Sequence, residues 1–147
     1  MSVRRLQRGD FGEWARMRRI LWPHVTRAGC RKEWNTVRRN PSRFAIFVSE
    51  SPDGLQGFLE ASLRRDYTHG CSTTPVGYIE GWYVAGEARR QRIGRKLVRA
   101  AEQWARTKGC KEMGSDTELS NKLSQKTHRA LGYVECGRCV HFRKTLR

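Results

Sequence analysis

Gly77-Tyr78-Ile79-Glu80-Gly81-Trp82-Tyr83-Val84, the turn Ala85-Gly86-Glu87-Ala88-Arg89-Arg90-Gln91-Arg92, and the run from Ile93 to Lys108 form the stretch on which the fold turns. The first part is rich in aromatic and β-branched residues and reads as a strand over 77–84. In the last part Ile93, Leu97, Ala101, Trp104 and Ala105 share one face, while Arg95, Arg99, Arg106 and Lys108 lie away from it. That spacing predicts a helix over 93–108, with Gly109 as its C-terminal cap. A turn that enters a helix presents unpaired backbone N–H groups and the positive end of the helix dipole. Such a nest holds a pyrophosphate, and the neighbouring arginines add mobile positive charge. Gly94 carries no Cβ, so backbone can approach a phosphate closely there. The alternative is a charged, solvated helix start with no ligand.

Upstream, residues 3–6 read as a short strand, and Asp10 is placed to cap a helix over 11–21 in which Phe11, Trp14, Met17 and Leu21 recur. Trp22-Pro23 ends that helix, because the residue before proline is pushed out of the helical region. A second short helix is expected from Glu33 to Arg39, then a strand from Arg43 to Glu50. Ser51-Pro52-Asp53-Gly54 is a turn leading into a return strand, Leu55 to Arg65. A polar loop from Tyr67 to Pro75 completes the upstream half. Downstream, Lys111 to Asp116 reads as a short strand and Ser120 as the cap of a helix ending near Leu131-Gly132. Tyr133 to Glu135 and Val140 to Lys144 read as two closing strands. The order β-α-α-β-β-β-α-β-α-β-β is mixed α/β, and is not an alternating doubly wound sheet.

The chain has 147 residues, a length that suits one domain over 1–147. Its 30 Lys and Arg against 14 Asp and Glu leave a net charge of +16. The 37% apolar fraction argues against disorder in spite of that imbalance. The charge favours an anionic partner: nucleic acid, an acidic membrane surface or a phosphorylated cofactor. The cations run from Arg4 to Arg147 without a nucleic-acid recognition motif, so nucleic acid is not the expected partner. No apolar run approaches the ~18 residues of a membrane span. Asp10 and Glu13 come close behind the start, so no signal core is expected and the cytoplasm is the default compartment. The cysteines (Cys30, Cys71, Cys110, Cys136, Cys139) are five, an odd number that reads as reduced thiols. Cys136 and Cys139 have CxxC spacing but no second ligand pair, so no metal is expected.

With the element order added, the stretch resembles motif A of the GCN5-related N-acetyltransferases (GNAT), whose pyrophosphate loop has the pattern Q/R-x-x-G-x-G/A. Arg89-Arg90-Gln91-Arg92-Ile93-Gly94 fits at Arg89 and Gly94, and departs at Arg92, where the family usually has glycine. Asn121 and the segment Ser124 to Tyr133 resemble motif B. Leu21-Trp22-Pro23, Arg65-Asp66-Tyr67, His69-Gly70-Cys71, Pro75-Val76, Ile79-Glu80-Gly81, Ser115-Asp116-Thr117 and Ser124 to Tyr133 are together similar to the aminoglycoside 6′-N-acetyltransferases, in order and over nearly the whole chain. The resemblance implies a GNAT fold: a single central, mostly antiparallel sheet, splayed in the middle and flanked by helices. It implies acetyl transfer from acetyl-CoA to the 6′-amine of an aminoglycoside, antibiotic resistance, and a homodimer.

An amine attacks a thioester only as the free base, so the site must accept a proton and stabilise an oxyanion. Glu80, just before the cofactor loop, is the expected base and substrate contact; the alternative is a strand carboxylate satisfied by arginine. Asp116 ends the next strand and is expected to bind substrate amines, or else to serve as a turn or cap residue. Asp66 and Tyr67 precede the polar loop and are placed in the same pocket. Trp22 serves as an aromatic wall for a sugar ring or as a buried anchor. The resemblance puts cofactor contacts at Tyr83, Val84, Arg89, Arg90, Gln91, Arg92, Ile93, Gly94, Arg95, Asn121 and His128. It gives His128 a second role, as the acid that protonates the leaving thiolate; the alternative is a partly buried helix residue. The oxyanion donor is expected from backbone N–H near Val84.

Overall fold

The computed structural model describes residues 2–147, apart from the side chains of Arg90 and Gln91. Two compact units divide it, residues 1–115 and 116–147.

The first unit is built on a five-stranded sheet in chain order: β1 (Ser2–Arg5), β2 (Phe44–Ser51), β3 (Gly54–Arg64), β4 (Val76–Val84) and β5 (Met113–Ser115). Neighbours run antiparallel except β4 and β5, which are parallel. Helices α1 (Phe11–Leu21) and α2 (Arg27–Arg39) belong to one face of this sheet, and α3 (Ile93–Thr107) to the other. Alternation along the strands divides the core accordingly. Phe11, Trp14, Met17, Cys30, Ile46, Val48 and Phe58 fill the α1 side. Ile93, Leu97, Val98, Ala101, Trp104 and Ala105 form the buried stripe of α3.

The elements match the sequence pattern with five corrections. Asp10 precedes α1 but does not cap it: its carboxylate accepts the Gln7 N–H at 2.7 Å and pairs with Arg4. α2 begins six residues earlier than Glu33, because the Thr26 hydroxyl caps it by accepting the Gly29 N–H at 3.0 Å. β5 keeps only three residues of the expected Lys111–Asp116 strand. In the second unit, α4 (Lys122–Ala130) is capped by Asn121 rather than Ser120, and residues 133–147 form no strand. Alternating sequence there lacks a ladder partner among the described residues, and alternation alone does not make a strand. Val134, Val140, Phe142 and Leu146 stay exposed.

Two irregularities of β4 shape its surroundings. The β3–β4 register slips between Glu60 and Ala61, which face Gly81 and Ile79, so Glu80 is the extra residue of a bulge on β4. β4 meets β5 only from Gly77 to Ile79, so beyond that point the two strands part.

Candidate functional site

The bulge changes which β4 side chains face α1. Tyr78 lies opposite Ser62, and Gly81, not Glu80, lies opposite Glu60. Gly81 is there because Trp22 is: a Cβ on Gly81 would stand 2.3 Å from the Trp22 ring. Trp22 ends α1, packs edge-on against Phe58 at 6.3 Å and lies beneath the Arg18 guanidinium at 4.9 Å. It remains partly exposed, so one ring serves as anchor and as wall.

Around that ring lies a cleft of about 270 Å³, lined by Arg18, Trp22, Glu33, Val37, Phe44, Glu60, Ala61 and Glu80. Three carboxylates and one guanidinium give it an acidic balance inside a basic chain. Glu60 and Arg18 are mutually satisfied: Arg18 Nε and Nη2 donate to Glu60 at 2.6 and 3.1 Å, and Trp14 Nε1 adds a third bond at 3.1 Å. Burial pushes the Glu60 carboxyl up from its ordinary value, with Arg18 and Trp14 pulling against it. Burial also works against the Arg18 charge, but its bonds to Glu60 outweigh that and hold it above the usual range. Neither residue was expected from the sequence, since Glu60 reads as an outward acid of a strand and its partner lies 42 residues away.

Glu80 is more open. Its Oε1 accepts from Ser62 Oγ at 2.8 Å and from Arg64 Nε at 3.1 Å, and Arg64 Nη2 reaches Oε1 at 2.8 Å and Oε2 at 2.9 Å. Both readings of Glu80 therefore hold together: it is paired with arginine, and it lines the cleft. Asp66 and Tyr67 are exposed on the loop after β3, outside that lining; the Tyr67 hydroxyl lies 3.4 Å from His69 Nδ1.

On the far side of the β4 bulge, residues 80–84 have no β5 partner. Backbone N–H groups alternate in direction along a strand, so those pointing away from β3 near Tyr83 and Val84 are open to a ligand. Tyr83 itself stacks on Phe58 at 6.1 Å, and the Val84 carbonyl accepts Arg89 Nε at 3.1 Å. A short 3-10 turn over Gly86–Gln91 then leads to Arg92, whose φ of 60° and ψ of 20° put a non-glycine residue in the left-handed region. This conformation gives the family's usual glycine its physical reason. The first N–H to bond back along α3 is that of Lys96, to the Arg92 carbonyl at 3.2 Å. Those of Ile93, Gly94 and Arg95 lie in the first turn, where a helix supplies no acceptor of its own. Ile93 is buried and offers only backbone, Arg95 is exposed, and the expected side-chain contacts of Arg90 and Gln91 lie outside the described residues. The absent Cβ of Gly94 faces the Trp82 ring, 2.9 Å away, so this glycine also seats α3 on the sheet.

In the second unit Asp116 directly succeeds β5 and is exposed. Asn121 accepts the Ser124 N–H at 3.0 Å, which commits its oxygen to capping and leaves its amide N–H₂ as donor. His128 Nδ1 lies 2.7 Å from the Ser124 carbonyl and must carry the proton of that bond. Nε2 of the neutral ring is then an acceptor, and only the imidazolium can donate from it.

Comparison with known proteins agrees with this geometry. The model of the acetyltransferase (GNAT) family matches residues 5–133. The chain is 40% identical over 137 residues to an aminoglycoside N(6′)-acetyltransferase type 1 of Serratia marcescens, covering 93% of this chain and 94% of that one. A Salmonella typhimurium protein of the same name is 34% identical over 98% of this chain and 99% of its own. Among solved structures, AAC(6′)-Iy in complex with the bisubstrate analogue CoA-S-monomethyl-acetylneamine superposes with a TM-score of 0.92 at 32% identity, covering 99% and 98% of the two chains. The apo 6′-N-acetyltransferase AAC(6′)-IG of Acinetobacter haemolyticus gives 0.91 at 31% identity over the full length of both.

Proposed function

The chain belongs to the acetyltransferase (GNAT) family, and from that premise we infer that it transfers acetyl from acetyl-CoA to the 6′-amine of aminoglycosides, conferring resistance to them. The observation that carries this reading is the acidic cleft, lined by Trp22 together with Glu33, Glu60 and Glu80. Cationic amino sugars need that combination: an aromatic face for a ring and carboxylates for ammonium groups. Relatives named for this activity, matched over more than nine-tenths of both chains, support it.

Each group of residues has its own part in the reaction. Acetyl-CoA supplies the activated acetyl group, and its pyrophosphate suits the first-turn N–H groups of Ile93, Gly94 and Arg95, with Arg89, Arg92 and Arg95 beside them; the resemblance adds Arg90 and Gln91 as contacts. Tyr83, Val84, Asn121 and His128 complete the cofactor contacts. Trp22, Glu80 and Asp116 hold the drug, and Asp66 and Tyr67 meet it from the loop outside the lining of the cleft. In a direct transfer within a ternary complex, Glu80 takes the proton of the 6′-ammonium through a water. Backbone N–H near Val84, on the unpaired edge of β4, stabilises the oxyanion. His128 as imidazolium protonates the leaving thiolate.

Residues 1–147 act as one acetyltransferase domain, a reading supported by the span of the family match. The chain works as a homodimer, with the exposed apolar residues Val134, Val140, Phe142 and Leu146 in its interface. Light scattering on wild type should give twice the chain mass, and Phe142→Asp should shift it toward monomer; a monomeric wild type contradicts this. Free cysteines at Cys30, Cys71, Cys110, Cys136 and Cys139 support a reducing compartment, the cytoplasm. No described helix is long and apolar enough to cross a membrane.

Thiol release from acetyl-CoA tests the activity. Turnover should be fast with kanamycin or tobramycin and slow with spermidine. Equal rates on all three, or no rate on either drug, would contradict the substrate assignment.

A further inference from the structure

We propose that Arg64 is a positioning residue for acetyl transfer: its guanidinium fork, with Ser62, saturates one oxygen of Glu80 and leaves the other open to the substrate side. The proposal rests on the reading of Glu80 as the proton acceptor.

The bond pattern is asymmetric. Oε1 receives three donors, from Ser62 Oγ, Arg64 Nε and Arg64 Nη2, whereas among the described residues Oε2 receives only the shared Nη2. An ionised carboxylate oxygen has two lone pairs, so Oε1 is full and Oε2 keeps a site for a water or an ammonium. Glu80 needs such a brace. As the extra residue of the bulge it has no cross-strand partner to fix its rotamer, and its side chain is 36% exposed.

Arg64 is itself held. Its Cζ lies 3.4 Å from the centroid of the Tyr78 ring, a cation–π contact that fixes the plane of the fork. The whole device is local: Ser62 and Arg64 are two apart on β3, and Tyr78 and Glu80 two apart on β4, on one face of the sheet. The other Arg–Glu pair of the cleft, Arg18 with Glu60, has side chains only 10% and 9% exposed, while Arg64 and Glu80 remain 39% and 36% exposed. The closed pair is structure; the open one stays accessible to a third charged group.

The arrangement has a cost in binding. With Arg64 against it, Glu80 presents little net charge to an incoming polycation. Orientation and attraction therefore pull in opposite directions, and substitutions separate them.

Steady-state kinetics with acetyl-CoA and kanamycin provide the test, with circular dichroism to check folding. Arg64→Ala should lower kcat about tenfold through lost orientation, and lower the kanamycin KM roughly fivefold, because a like charge has gone. Arg64→Lys restores the charge without the fork, so KM should return to the wild-type value while kcat stays low. Ser62→Ala, which removes a neutral donor, should lower kcat about threefold with KM unchanged. Wild-type kcat in both Arg64→Ala and Ser62→Ala, or full rescue of kcat by Arg64→Lys, would overturn the proposal. Glu80→Gln distinguishes the layers. If it is inactive while Arg64→Ala turns over normally, the brace alone is wrong; if it turns over normally, the base assignment falls and the brace with it.

Discussion

Arg18 and Glu60 meet at 2.6 Å beneath the cleft, on different elements, with both side chains about nine-tenths buried. A pair so enclosed is a poor source of net stability, yet removing one member strands the other charge away from water. Arg18→Met should therefore cost about 3–5 kcal/mol in urea unfolding, and the double change Arg18→Met with Glu60→Leu should recover most of it. A single variant as stable as wild type would mean that water already reaches the pair.

Arg92 holds φ at 60°, at the position where the motif A pattern has glycine. A non-glycine residue there stores strain that glycine would release, offset by the greater freedom of glycine in the unfolded chain. Arg92→Gly should raise stability by about 1 kcal/mol in thermal or urea unfolding. It should also weaken CoA binding in calorimetry, since a cation leaves the loop. Reduced stability in the variant would show that the Arg92 side chain makes contacts that outweigh the strain.

The hydrogen-bonded Arg4 guanidinium, first, and the Gln7 N–H hold the Asp10 carboxyl below its usual 3.8. Because the folded value is the lower one, the pair stabilises the fold above the unfolded value and that contribution disappears as pH falls through the folded value. Asp10→Asn should lose about 1 kcal/mol at neutral pH and converge with wild type as acidification passes below the folded value. An equal gap at every pH would point to a packing effect instead.

The long-range field opposes the drug and favours the cofactor. The net charge is +16, and inside the cleft two of the three lining carboxylates are paired with arginine. Raising salt from very low ionic strength toward physiological screening, ~8 Å, should increase kcat/KM for kanamycin and decrease it for acetyl-CoA. A kanamycin value that climbs as salt is removed would mean that local attraction dominates.

The residues behind these effects leave unequal traces in the sequence. α3 and its entry turn are legible because a buried stripe repeats every three to four residues and Gly109 marks the end; φ at Gly109 is +83°. α2 is visible only in part, since its first turn carries no apolar period and only Thr26 announces it. The bulge at Glu80 has no sequence signal at all, because register is decided by which β3 residues lie opposite. For the same reason Glu60 and Arg64 do not stand out: each is an ordinary strand residue until the partner strand or helix arrives. Residues 133–147 show the converse, a strand-like alternation without a neighbouring ladder among the described residues. Asp66 and Tyr67 are placed in a pocket by resemblance, and the loop holds them outside the lining of the cleft.

The position of the acetyl group on the product decides the substrate assignment. Kanamycin should be incubated with the protein and acetyl-CoA, and the purified product examined by two-dimensional NMR. An acetyl group on the 6′-nitrogen alone is the result required by a Trp22-walled, Glu80-braced cleft. Acetylation at another amine, at a hydroxyl, or at no position would contradict it.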